Sequence, residues 1–162
     1  MSPALERLHA ALTAGSMTIS VAESCTGGLL AAALTERPGS SRFFAGGVVT
    51  YSNAAKVRLL DVAESTLAAH GAVSSEVARA MVLGVRALFG TDVGLSVTGV
   101  AGPDQDGVKP VGLTYIGAAA GDTVTVRECR WAGNRAANRA ASVDAAIALA
   151  LEVMSSQHDS PV

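Results

Sequence analysis

Apolar positions along the chain recur at two spacings, three-to-four residues and two, and the switches between them mark helices and strands. Ser2-Pro3 followed by Leu5, Leu8 and Leu12 predicts a capped amphipathic helix ending at Gly15. Residues 17–22 (MTISVA) predict a short strand running into ESCTGG, residues 23–28, and then a helix over residues 29–34 stopped by Pro38-Gly39. Residues 46–51 (GGVVTY) predict a second strand, after which Ser52-Asn53 caps a short helix carrying Lys56, Leu59 and Leu60. Ser74 opens a longer helix with Val77, Met81, Val85 and Leu88 on one face, closed by Gly90.

Val93, Leu95 and Val97 alternate as in a strand that ends at Thr98-Gly99. A Gly-, Pro- and Asp-rich loop follows over 101–110. Two further strands, 111–120 and 123–131, are joined by a tight Gly121-Asp122 turn. Beyond Gly133-Asn134 a last helix turns Val143, Ile147, Ala150 and Met154 inward, and residues 155–162 read as a frayed tail. Strands alternating with helices predict an α/β fold, a three-layer sandwich with a mixed central sheet flanked by helices. The early strands are parallel and the late pair forms a hairpin. No repeat or long linker divides the chain, so residues 1–162 are expected to form one domain.

Composition narrows the picture. Hydrophobic residues make up 49% of the chain and aromatics only 4%, so Ala, Val, Leu and Gly do the packing, which suits closely approaching helices and strands. Twelve Lys and Arg against 14 Asp and Glu give a net charge of −2, without the basic face of a general nucleic-acid binder. Two cysteines, Cys25 and Cys129, lie far apart and outside any CxxC pattern, which points to a reducing compartment. Neither a signal peptide nor a run of ~18 apolar residues is present, so the expected location is cytoplasmic, with no membrane partner.

The most informative segment is VAESCTGG, residues 21–28. A strand ending in small hydroxyl residues and glycines, and then opening a helix, places backbone N–H groups around a concavity that attracts an anion or a developing oxyanion. The same residues also make an ordinary helix cap, and taken alone the pattern fits the cap better. Two other strand exits share its character: GGVVTYSNAAK at 46–56, and TGVAGPD at 98–104, with Lys109-Pro110-Val111-Gly112 starting the next strand. Polar, glycine-rich exits from three strands in an apolar chain suggest one pocket along an edge of the sheet.

From about Thr18 to Ile147 the sequence resembles the CinA C-terminal, or nicotinamide-nucleotide amidohydrolase, family. The resemblance rests on AESCTGG, PGSS-x-FF-x-GG-x-VTYSN-x-AK, GAVS, and TG-x-AGPD followed by KPVG, in that order. It implies hydrolysis of the carboxamide of nicotinamide mononucleotide to nicotinic acid mononucleotide and ammonia, in pyridine nucleotide salvage. It also implies a Ser/Lys mechanism without metal or other cofactor, and a homodimer. In this sequence Ser24 matches the nucleophile, Lys56 its base and Tyr51 a supporting hydroxyl. Serine needs a base to take its proton, and lysine serves only if burial brings its pKa of ~10.4 down to roughly 7 or below.

The N–H groups of Thr26, Gly27 and Gly28 are the expected oxyanion donors. Asn53, Thr98, Gly99, Ala101, Gly102 and Lys109 fall in the matching binding blocks. Arg135 and Arg139, four apart at the start of the last helix, suit a phosphate. Arg135 matches a Gly-Asp-Arg block of the family, whereas Arg139 reads equally as a surface arginine paired with acidic neighbours. Two departures stand out: residues 105–108 make a shorter link than the family's, and Asn134 replaces an Asp, which still allows a helix cap.

Rival readings have their own markers. Cys25 at a helix N-terminus could attack an amide if its pKa were lowered, though a packing role is commoner. His9, His70 and His158, on a helix, in a loop and in the tail, form no zinc pattern or triad. A nucleotide-binding or regulatory module linked to competence or DNA damage would bind the nucleotide without releasing ammonia. Direct DNA binding would draw on Arg127, Arg130, Arg135 and Arg139, for which a phosphate pocket is the simpler account.

Overall fold

The computed structural model describes residues 2–156. Five strands form one sheet in the order β2-β1-β3-β4-β5: β1 (Ile19–Glu23), β2 (Phe44–Val49), β3 (Val93–Gly99), β4 (Leu113–Ala120) and β5 (Thr123–Arg130). β1 pairs parallel with both β2 and β3, while β3-β4 and β4-β5 are antiparallel. One face of the sheet carries α1 (Pro3–Ala14), α2 (Leu29–Leu34) and α6 (Arg135–Ser155). The other carries α3 (Asn53–Leu60), α4 (Glu64–His70) and α5 (Ser75–Phe89). This is the mixed three-layer sandwich that the alternation of strands and helices predicts.

The two-residue period decides which layer each strand residue meets. Ile19 and Val21 of β1, with Val93, Leu95 and Val97 of β3, join the core under α1, α2 and α6. The alternate residues are small and face α5. Ser20 Oγ donates to the Val85 carbonyl at 3.2 Å and Ser96 Oγ to that of Ala78 at 2.7 Å. A Cβ at Gly94 or Gly117 would lie 3.0 and 2.9 Å from the carbonyls of Val82 and Ala78. The low aromatic content thus has a structural counterpart: α5 packs on backbone and hydroxyls rather than on large side chains.

Several boundaries differ from those the pattern suggests. The first strand begins at Ile19 rather than 17, because Thr18 is held at the turn by Asp92, whose Oδ2 accepts from Thr18 N at 2.7 Å. The second begins at Phe44 and ends at Val49, set by the pairing of Ile19 with Phe44 and Glu23 with Val49. The hairpin is trimmed to Leu113 and Arg130. Gly112 has φ +87° and passes so close to the Trp131 carbonyl that the chain turns there. Leu88 is half exposed; the buried face of α5 is Val77, Ala78, Met81, Val82 and Val85.

Helix α4 was not anticipated. Its N-cap Ala63 makes no side-chain bond and only Leu67 is buried, so the sequence carries neither of the usual signals. It also places His70 at a helix end rather than in a loop. Residue 155, expected in a tail, is the last residue of α6. Ser156 is its C-cap, and residues 157–162, with His158, lie outside the described residues.

Helix α5 also holds α3, the element that carries Lys56. Gly84 faces Leu60 so closely that a Cβ there would lie 2.1 Å from the Leu60 carbonyl oxygen. Alanine is the better helix former, yet here the backbones must separate, and overpacking of this kind costs about 1–3 kcal/mol. Gly84→Ala is therefore expected to lower stability in urea unfolding. An unchanged or raised midpoint would mean that α3 is not tightly seated on α5.

Candidate active site

The three parallel strands deliver their exits to one place. Ser24 follows β1 directly, and its N–H donates to Val97 O of β3 at 2.9 Å. On the other side Thr50 N donates to Glu23 O at 2.7 Å, continuing the β1-β2 ladder past the end of β2. Ser52 then caps α3, its Oγ accepting from Ala55 N at 3.1 Å. Helical side chains lean toward the N-terminus, so Lys56 in the first turn points back over the strand ends. Its Nζ donates to Thr50 O at 2.7 Å and to Ser24 Oγ at 3.1 Å.

Lys56 is 1% exposed, among the largest fully buried side chains. It forms no ion pair among the described residues. Burial without a counter-ion pushes its pKa below the ordinary lysine value. Cys25 goes the other way: burial pushes its thiol up to about 11, so it stays protonated at neutral pH. The lowered pKa that a cysteine nucleophile requires is absent, because the thiol sits in the core cluster rather than in the field of an open helix terminus.

Glu23 changes the reading of the glycine turn. Its carboxylate accepts from the N–H groups of Gly28 at 3.1 Å, Leu30 at 3.1 Å and Ala31 at 2.8 Å. The N-terminus of α2 therefore already holds an anion, and neither Ser24 nor Thr26 is the cap. Gly27 N donates to Ser24 O at 3.1 Å. Gly27 and Gly28 consequently have no N–H to offer an oxyanion, contrary to the expectation from sequence. The N–H groups of Cys25 and Thr26 donate to no backbone or carboxylate acceptor among the described residues.

A cavity of about 330 Å³ opens on this arrangement. Of the residues singled out in the sequence, Ser24, Lys56, Tyr51, Asn53, Thr98, Gly99, Ala101, Gly102 and Arg135 line it. Thr26, Gly27, Gly28 and Lys109 do not; Lys109 lies within electrostatic range of Glu76 and Glu128 instead. Tyr51 is 60% exposed at the mouth, where its hydroxyl accepts from Arg135 Nη2 at 3.0 Å and makes no bond to Lys56. Arg135 Nη1 also donates to Gly102 O at 2.7 Å. Asn134 caps α6 through Ala137 N, so the exchanged residue still does what a cap must.

Sequence reasoning missed several members of the site. Asn138, buried in α6, donates to Ala101 O at 3.1 Å and accepts from Gly133 N at 3.0 Å. Arg139 donates to the carbonyls of Cys25 and Thr26. Asp104 and Asp106 also line the cavity. Asp104 stands in the TG-x-AGPD block, Asp106 in the departure at 105–108, and Arg139 was read as a phosphate partner or a surface arginine; the contacts of Asn138 and Arg139 depend on the path of α6. Among the described residues no three His, Cys, Asp or Glu side chains come together as a metal site requires, and no helix is long and apolar enough to cross a membrane.

Fold and site together define a class: a mixed α/β domain with a lysine-paired serine at the carboxyl ends of its parallel strands. The family model described as CinA C-terminal domain matches residues 2–154, and the chain belongs to that family. It is 51% identical over 134 residues to a putative competence-damage inducible protein of Desulforamulus reducens, covering 83% of this chain and 33% of the relative. A CinA-like protein of Geotalea uraniireducens is 52% identical over 119 residues, covering 73% of this chain and 28% of the relative. The chain thus spans about a third of the length of the curated relatives it matches. Among solved structures it is similar to competence/damage inducible protein CihA of Agrobacterium tumefaciens. That match has 37% identity and TM-score 0.89, and covers 93% of each chain. A CinA superfamily protein of Klebsiella pneumoniae has 34% identity and TM-score 0.91, over 94% of this chain and 96% of that one.

The buried amine has a consequence for stability. In the unfolded chain Lys56 takes up its proton at ~10.4; in the folded chain it does so at a lower pH. Between the two values the unfolded state binds more protons, so this residue makes stability rise with pH across that window. Below the folded value its penalty is constant. Lys56→Met should lack this alkaline gain, and thermal melts of both proteins across that range test it. Parallel curves would show that the folded-state amine titrates as an exposed lysine does.

Proposed function

We propose that this chain hydrolyses the carboxamide of nicotinamide mononucleotide to nicotinic acid mononucleotide and ammonia, as a Ser24/Lys56 amidase in pyridine nucleotide salvage. The observation that carries the reading is the contact between Lys56 Nζ and Ser24 Oγ at 3.1 Å, with the amine buried and unpaired. A neutral amine within hydrogen-bond reach of a serine is the arrangement nucleophilic catalysis needs. The relatives' names state no substrate, so the substrate rests on the motif resemblance.

Lys56 takes the Ser24 hydroxyl proton as Oγ attacks the carboxamide carbon. Cys25 lines the cavity next to Ser24, and its N–H is the candidate donor to the oxyanion of the tetrahedral intermediate. The C–N bond then breaks, Lys56 returns its proton to the leaving nitrogen, and ammonia departs from an acyl-Ser24 ester. Water attacks the ester, giving its proton through Lys56 back to Ser24 Oγ, and the acid product leaves. Tyr51 sits at the mouth and supports Arg135 rather than the base. Arg135 uses two of its N–H groups on Tyr51 and Gly102 and has others for a phosphate. The free, buried thiols Cys25 and Cys129 suit a cytoplasmic setting, and pairing with a second copy is part of the same proposal.

Ammonia release from nicotinamide mononucleotide by the purified protein tests the reading. Ser24→Ala and Lys56→Ala should each lose about 10³-fold or more in turnover, whereas Cys25→Ala should keep it. Wild-type turnover should rise with pH as Lys56 gives up its proton, at a pH below the ordinary lysine range. A folded Ser24→Ala protein with normal turnover would overturn the mechanism. Nucleotide binding without ammonia release would make the chain a binding module.

A further inference from the structure

Two arginines one turn apart open α6, and only Arg135 faces the cavity. Arg139 reaches under the nucleophile turn instead. Its Nε donates to the Cys25 carbonyl at 3.1 Å and its Nη2 to the Thr26 carbonyl at 2.9 Å. It has no acidic partner among the described residues, so the expected pairing of a surface arginine is not what holds it. The guanidinium also lies against the turn itself: a Cβ on Gly27, where φ is +58°, would come within 3.3 Å of Nη2.

A peptide unit is planar and trans, so fixing its C=O fixes the N–H on its opposite edge. With the Thr26 carbonyl on Arg139, the Gly27 N–H turns away from the guanidinium and is found on Ser24 O at 3.1 Å. With the Cys25 carbonyl on the same guanidinium, the Thr26 N–H is likewise turned away. Unlike that of Gly27, it has no acceptor among the described residues. A planar guanidinium presents its donors as a rigid fork, so one side chain sets two successive peptides in a fixed relative geometry.

We infer that Arg139 is a positioning residue: by holding the Cys25 and Thr26 carbonyls it fixes the nucleophile turn so that Ser24 stays on Lys56. The inference rests on Ser24 being the nucleophile, but not on the identity of the amide. Glu23 secures the far side of the same turn through the N–H groups of Gly28, Leu30 and Ala31. Arg139 secures the near side through its carbonyls.

The test measures covalent labelling of Ser24 by a fluorophosphonate, read as the mass shift of its peptide, beside kcat and KM for nicotinamide mononucleotide. Arg139→Ala, with an unchanged circular dichroism spectrum, should label about 100-fold more slowly, the usual effect of misplacing a reacting group by an ångström. Added guanidinium should restore part of the rate, and kcat should fall while KM holds. Arg139→Gln, with one amide for two carbonyls, serves if the alanine variant does not fold. Wild-type labelling rates in the variant, or a loss that guanidinium leaves unrestored, would overturn the inference. Wild-type labelling without ammonia release would remove the amidase and leave the role of Arg139 standing. Failure of the wild type to label at Ser24 would remove both.

Discussion

A lysine amine in a dry interior must find a counter-ion, reach water or give up its proton. Lys56 has no carboxylate partner among the described residues and almost no exposure, so burial disfavours its charged form and draws its pKa below the ordinary lysine value. The surrounding architecture follows from that constraint. The Thr50 carbonyl and the Ser24 hydroxyl receive the amine's hydrogen bonds, which satisfies the group without supplying the negative charge that would hold its proton. A carboxylate beside the amine would instead stabilise the ammonium.

Keeping carboxylates away from Lys56 is harder than it looks, because Glu23 immediately precedes Ser24. The strand pleat resolves the conflict. Glu23 is fully buried, yet its carboxylate is taken up by three N–H groups at the start of α2, where a helix terminus favours negative charge. The same acid that would disturb the lysine thus organises the turn that carries the serine. Backbone groups around residues 24–31 are sorted by sign, with N–H groups on Glu23 and carbonyls on Arg139.

How far this was legible in the sequence depended on the range of each contact. Ser24, Lys56 and Tyr51 stand in blocks whose local form, strand exit followed by capped helix, already implies a shared edge of the sheet. Their convergence needed only parallel pairing of β2, β1 and β3. Glu23 was beside the point of interest and was still missed, since a glutamate next to a glycine turn looks the same whether it faces solvent or a helix terminus. Asn138 and Arg139 lie in an alanine-rich stretch, and the carbonyl Arg139 holds at Cys25 is 114 residues away. Helix α4 escaped because it lacks both a cap and an apolar stripe, and exists by leaning on α5.

The division of labour between Arg135 and Arg139 follows from helix pitch. Four residues of α-helix rise ~6 Å, close to the ~4.8 Å that separates neighbouring strands. A helix starting beside the carboxyl ends of β1 and β3 can therefore set one turn against each exit. Arg135 and Asn138 meet the loop after β3 at Gly102 and Ala101, and Arg139 meets the loop after β1 at Cys25 and Thr26. The strand exits are fixed at their roots by the sheet and at their far edges by one rigid rod. Loops held at both ends can keep a lysine and a serine within hydrogen-bond reach while leaving a cavity open above them. A glycine-rich turn held only at its root would not confine Ser24 to one position beside Lys56, the confinement that the proposed proton transfer requires.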